Sequence, residues 1–204
     1  MVRRTGTIAI WAVALAVYVA FAAWYGGVRG PLAPAEIAAH LARLSAGGAY
    51  DADQLAAVRA FLEADDGREF FMVNLVRMQP GDAARQELER YTGPFLGALL
   101  RRAGHPAFVA PAAATYLERW NVAPDPGWSF AGVIRYRSRR DMIELVTDPA
   151  FEPWHAHKLA AIASTLAFPV TPARIWIGPR VWVALLVALV ALALQLRVST
   201  HTKE

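Results

Sequence analysis

The chain has 204 residues, with 21 Lys and Arg against 17 Asp and Glu, and 56% of its residues are hydrophobic. The formal charge of +4 is not spread evenly, because residues 30 to 176 hold 15 Lys plus Arg and 16 Asp plus Glu. A near-neutral middle excludes a nucleic-acid surface, which needs positive charge clustered on the folded domain. The chain has no cysteine, so redox usage says nothing of the compartment, and an exported domain without disulfides is allowed.

The first uncharged run goes from Thr5 to Val28 and follows Arg3 and Arg4. A bilayer core of about 30 Å needs about 20 apolar residues in helix, so residues 6–28 are read as a transmembrane helix. A cleaved signal peptide is the alternative, with AFAAW as its cleavage site. The last apolar run, VWVALLVALVALALQL, is extended by Ile175, Trp176 and Ile177 if Arg180 snorkels, giving a second span over 175–197. Trp24, Tyr25, Trp176 and Trp182 sit at the inward ends of the two runs, as an aromatic belt would. Arg3, Arg4, Arg197 and Lys203 favour both termini in the cytoplasm, against Arg29, Arg174 and Arg180 on the other flank. The expectation is a two-pass protein of the cytoplasmic (inner) membrane with its middle domain outside.

Between the spans, residues 30–67 read as a helical linker: PAEIAAHLARLS ending at GG, then DADQLAAVRAFLEADDG with Asp51 or Asp53 as cap. Asp65 and Asp66 before Gly67 read as a helix stop. EFFMVNLVRM (69–78) is a buried strand, and residues 83–104 form a helix that can bend at Gly93-Pro94. Residues 105–121 read as a strand, an interruption at Pro111 and a further strand, ATYLERWN. WSFAGVIRYRS (128–138) alternates as a strand. SRRDMIELVTD is a helix capped by Ser138, and RYRSRR is read as a strand end and solvated helix start. FEPWHAHKL opens a helix from Pro153 to about Ser164, and TLAFPVTPA closes as a short strand. Tyr91, Tyr116, Trp128 and Tyr136 line a pocket or fill the core.

The resulting order, β-α-β-β-α-β over residues 68–173, is the ferredoxin-like α+β unit. Helices cover one sheet face, and the apolar other face needs a ligand, a partner subunit or both. Within FEPWHAHKL, His155 shares a helix face with Leu159 and Ile162, while His157 points about 200° away. The two cannot converge on one metal. His155 is therefore either a neutral imidazole serving as a ligand or a packed side chain. Asn74 shares a strand face with Met72 and Val76, and either meets a ligand or bonds a backbone group at a bulge.

This order, with RYRSRRDMIELVTDPAFEPWHAHKL crossing from strand into the last helices, resembles the dimeric α/β-barrel superfamily. That superfamily includes antibiotic-biosynthesis-monooxygenase-like domains and a related family of uncharacterised function. The resemblance covers residues 68–173 and implies a homodimer joined through open sheet faces. Bacterial haem-degrading monooxygenases of the superfamily carry an aspartate-or-serine followed by F-x-x-x-H-x-H, matched here by Asp148, Phe151, His155 and His157. The likeness implies haem as cofactor, His155 as its iron ligand and Asn74 on the distal side. Where those enzymes press a tryptophan on the haem plane, this chain has Leu145, which weakens the oxygenase expectation more than the haem one. Function is thus expected to be binding of a small apolar or planar molecule, haem first, with monooxygenase-like chemistry. The other expectations are a non-catalytic subunit docked in a larger membrane complex, and a sensor or scavenger of a small molecule.

Overall fold

The computed structural model describes residues 2–173 and 178–200. It divides into two units, residues 1–28 with 173–204 and residues 29–172. The first unit is a helical hairpin of α1 (Val2–Gly26) and α7 (Pro179–Thr200). Their spans Thr5–Gly26 and Pro179–Val198 are long and apolar enough to cross a membrane, with mean hydropathy 2.1 and 2.3. The helices run antiparallel. Trp11 Nε1 donates to Gln195 Oε1 at 2.8 Å near one end, and the Arg180 guanidinium lies 5.1 Å over the Tyr25 ring near the other. The expected extension through Ile175, Trp176 and Ile177, and the flanking Arg174 and Lys203, lie outside the described residues.

The second unit is α+β. Its elements are α2 (Pro34–Ala46), α3 (Ala52–Glu63), β1 (Phe70–Met78), α4 (Asp82–Arg101), β2 (His105–Pro111), β3 (Phe130–Tyr136), α5 (Arg139–Val146), α6 (Glu152–Ala161) and β4 (Ile162–Val170). The four strands form one antiparallel sheet in the order β2-β3-β1-β4. Because β1 and β2 are both antiparallel to β3, they run parallel to each other with β3 inserted between them. By the same logic β3 and β4 flank β1.

Strand parity separates the two sheet faces. Phe70 and Met72 of β1, with Ile134 and Tyr136 of β3, face the helices and join one core with Leu99, Ile143, Leu145 and Phe151, and Val76 is buried on the same face. Phe70 stacks on Tyr136 at 5.3 Å and meets Phe61 of α3 edge-on at 5.0 Å. The opposite face is apolar and open. Phe108, Val133, Val73 and Phe168 form one row across all four strands, with Phe108 54% and Phe168 43% exposed.

Residues 30–67 are no linker. Leu32, Ile37, Leu41, Leu44 and Leu62 are buried in the same core as the sheet. The amphipathic spacing that suggested helices also supplied a face to bury, and the sheet's helix-facing side was large enough to take it. The arginines of RYRSRR are not solvated either, because each finds an internal acceptor. Arg135, 1% exposed, donates to Ala103 O and to Glu69 at 2.6 Å. Arg137 forks onto Asp141. Arg139 reaches Phe61 O and lies over its ring. Arg140 grips Glu36, Gly30 O and Pro31 O, and this guanidinium, helped by the Ala33 N–H, lowers the Glu36 carboxyl to about 2. The run therefore fastens α2, α3 and their entry segment to the sheet.

Two other expectations change. ATYLERWN forms no strand, and residues 112–129 are irregular, since Pro111 and then Pro124 and Pro126 offer no ladder donors. The helix of FEPWHAHKL stops at Ala161, and β4 begins at once with Ile162. The caps follow the expected chemistry: Asp51 accepts from Gln54 N, and Ser138 accepts from Asp141 N.

Candidate functional site

A cavity of about 490 Å³ opens between the C-terminal end of α2 and the α5–α6 region. Arg43, Leu44 and Tyr50 line one side, and Asp148, His155 and Leu159 the other. Both walls follow from local sequence. Gly47 and Gly48 end α2, the latter with φ 67°, and turn the chain so that Tyr50 faces inward. Pro149 and Pro153 bracket the start of α6, where Pro is tolerated in the first turn, and this places His155 one turn into the helix.

His155 is half-buried, and burial, followed by the nearby Lys158 charge, pushes its imidazole below the usual histidine value. It is therefore neutral at neutral pH. Neither ring nitrogen has a hydrogen-bond partner among the described residues. The other described histidines differ. His40 Nδ1 meets Thr147 Oγ1 at 2.8 Å, His105 Nδ1 meets Pro106 O at 3.0 Å, and His157 Nδ1 meets Glu87 Oε2 at 2.5 Å. Thr147 donates its own proton to Ile143 O, so it accepts from His40, which must carry its proton on Nδ1. The two histidines of FEPWHAHKL thus diverge: His155 lines the cavity and His157 ties α6 to α4.

The remaining expected site residues are not gathered there. Asn74 shares the core-facing parity with Met72 and Val76, but its Nδ2 donates to Met72 O at 3.0 Å and Gly132 O at 3.4 Å. It does not line the cavity. Leu145, 1% exposed, and Phe151, 6% exposed, are packed into the core. Phe151 lies against Tyr91 and Phe95. Tyr136 is also buried, whereas Trp128 donates to Tyr116 Oη at 2.8 Å in the irregular segment. No group of three or more His, Cys, Asp or Glu among the described residues could hold a metal ion. Sequence reasoning missed Tyr50 and Arg43 as cavity walls, and the signal for them was the Gly47-Gly48 turn.

The donor set sets limits on a haem. A neutral imidazole with unengaged nitrogens could hold a haem iron, and the cavity is within the ordinary size of small-molecule pockets. Asn74, Leu145 and Phe151 do not fit the same pocket. The cavity offers one iron ligand, not the surrounding set of a haem-degrading centre.

No family model matches the chain, and no curated protein matches it. Among solved structures it is similar to RPA0582, a protein of unknown function from Rhodopseudomonas palustris, with 19% identity and a TM-score of 0.50. The match covers 62% of this chain and 96% of that one. The methylated RPA0582 protein matches with 20% identity and a TM-score of 0.50, over 63% of this chain and 96% of that one. These likenesses concern the fold.

Proposed function

We propose that the chain is a membrane-tethered, ferredoxin-like domain of the dimeric α/β-barrel kind, binding a small apolar or planar molecule in the His155 cavity. One observation carries this reading: a neutral, half-buried imidazole with both nitrogens unengaged, on the wall of a cavity of about 490 Å³. The sheet order β2-β3-β1-β4, with a helix crossing between each split pair, supports the ferredoxin-like assignment. The open row of Phe108, Val133, Val73 and Phe168 supports a homodimer in which a second copy covers that face. The antiparallel hairpin supports two passes through a membrane, and Arg3, Arg4 and Arg197 at its open end favour the inner membrane with the domain outside and both ends of the hairpin inside.

Haem is the first ligand to try. His155 would hold its iron, and Arg43 is the cation on the cavity wall suited to an acidic side group. A bound haem would supply redox and oxygen chemistry, and the protein's part would be to orient it and limit water. Monooxygenase activity has less support than binding, because Asn74 is spent on backbone carbonyls and Leu145 is sealed.

The test is an absorbance titration of the full chain in detergent with haem, beside His155→Ala and His157→Ala. A Soret shift that saturates at one haem per protomer and disappears only in His155→Ala supports the reading. An equal shift in all three proteins, or none, removes His155 as a ligand. The second reading, a docking subunit of a larger membrane complex, is favoured by the exposed apolar sheet face, and co-purification of another membrane protein through that face would select it.

A further inference from the structure

Arginine supplies almost all of the positive charge of this chain, since only two of its 21 basic residues are lysines, Lys158 and Lys203. The difference is chemical: arginine keeps its proton in a protein, and lysine can give its proton up. Lys158 lies on α6, two turns after Phe151 and one turn before Ala161. Those two are 6% and 0% exposed, so Lys158 shares the inward face of the helix. It is half-buried, and its nitrogen has no hydrogen-bond or ion-pair partner among the described residues. Two carboxylates beside α6 are spent elsewhere, Glu87 on His157 and Arg90, Asp148 on Arg102 and the Ala150 N–H. Glu152 of α6 faces the His155 cavity instead. Burial without a counter-ion pulls the Lys158 amine below the ordinary lysine value. The nitrogen is nonetheless not sealed: among the described residues, Ser164 Oγ is the one fully buried side-chain polar atom without a partner. Lys158 does not line the His155 cavity, so its chemistry is separate from any haem bound there.

A desolvated amine that solvent still reaches, with no partner to hold its proton, is the setting of a nucleophilic lysine. We propose that Lys158 is a reactive amine that takes small, apolar aldehydes as imines. The nitrogen lone pair bonds the carbonyl carbon, and one proton passes from nitrogen to oxygen to give the carbinolamine. The second proton leaves with the hydroxyl as water when the C=N bond forms. The balance needs no oxidant or reductant. An imine nitrogen is less basic than an amine, so a site that disfavours the ammonium favours the neutral imine. The surroundings select an apolar body for the aldehyde, because Phe151 on the same helix face lies against Tyr91 and Phe95. Arginine at this position could not do this chemistry, and the chain has no thiol to compete for the carbonyl.

The test is reductive trapping on the full chain in detergent, with benzaldehyde as the probe and cyanoborohydride to fix the imine. The benzyl group on each lysine is quantified by peptide mass spectrometry. Each rate is divided by its rate in the chain unfolded by urea and dodecyl sulfate, and Lys203 is the internal reference. The expected result at neutral pH is a normalised rate at Lys158 several-fold above that at Lys203. An equal or slower rate at Lys158 overturns the proposal. Lys158→Met gives a second measurement, because it removes an unpaired, desolvated ammonium and keeps the bulk of the side chain. Tm should then stay level or rise. A Tm lowered by several degrees shows that the fold itself holds the ammonium, and overturns the proposal as well. Haem titration at His155 and aldehyde trapping at Lys158 succeed or fail independently.

Discussion

Replacing Arg135 by methionine tests whether the basic run acts as an internal fastening. The residue is 1% exposed, and Glu69, its ion-pair partner, has a side chain 15% exposed. Arg135 Nη1 also holds Ala103 O at 2.6 Å. Ala103 itself is buried, with φ 56°, in the turn that leaves α4 for β2. Breaking a buried pair from one side costs about 3–5 kcal/mol. Glu69 keeps some water, so the lower figure applies, about 3 kcal/mol or a roughly 100-fold change in the folded-to-unfolded ratio. For a domain of this size that corresponds to a fall in Tm of about 10 °C. The loss is read by near-UV circular dichroism in detergent, which follows tertiary packing of the second unit. Glu69→Gln should then cost much less in the Arg135→Met background than alone. A Tm within about 2 °C of the parent, or equal Glu69→Gln costs in both backgrounds, refutes the fastening.

Leu145→Trp, which would place at this position the tryptophan of the haem-degrading enzymes that the sequence resembles, should overpack the core and cost about 1–3 kcal/mol without creating haem turnover; denaturant midpoints and product assays check the two halves. Gly104→Ala should destabilise by a similar 1–3 kcal/mol, because its Cβ would meet Leu99 and lie 2.9 Å from the Arg135 carbonyl oxygen. Burial, with Arg43 next for His40 and Lys158 next for His155, holds both imidazoles below their ordinary value of 6.5. The unfolded chain therefore binds more protons than the native one as pH falls below about 6.5, and stability drops there and is level above it. His40→Gln should flatten part of that slope in Tm measured from pH 8 to pH 5. The opposite sign holds for no group in this pair, so a Tm that rises on acidification would contradict the burial of both.

Legibility followed the range of the interactions. The helix caps at Asp51 and Ser138 and the divergence of His155 from His157 are local, set within one or two turns. So they were readable from spacing. The sheet strands were readable where β-branched and aromatic residues ran without interruption, as in FFMVNLVRM. ATYLERWN shows the limit. Its composition suits a strand, but Pro111 on one side and the Asp125 turn on the other hold it out of any ladder. RYRSRR shows another. Charge pattern says solvated surface, yet the acceptors that take these arginines lie as far away in sequence as Gly30 and Glu36. Asn74 was placed on the right strand face, and its bond to Gly132 O depends on the register with β3, which no local pattern specifies. Two membrane-length helices were plain from hydropathy alone.

The position of β1 between β3 and β4 has a consequence for synthesis. β1 emerges early, after α2 and α3, but its outer partner is the last strand made, and α7 follows almost at once. Until Val170 is out, the Phe71–Met78 edge has no ladder on that side, and the helices that share its core have only part of a sheet to rest on. Closure of the sheet and emergence of the second long apolar helix thus fall within the same short interval of translation. A chain stalled just upstream of Ile162 would present an unpaired, apolar strand edge, the kind of surface that chaperones and proteases recognise.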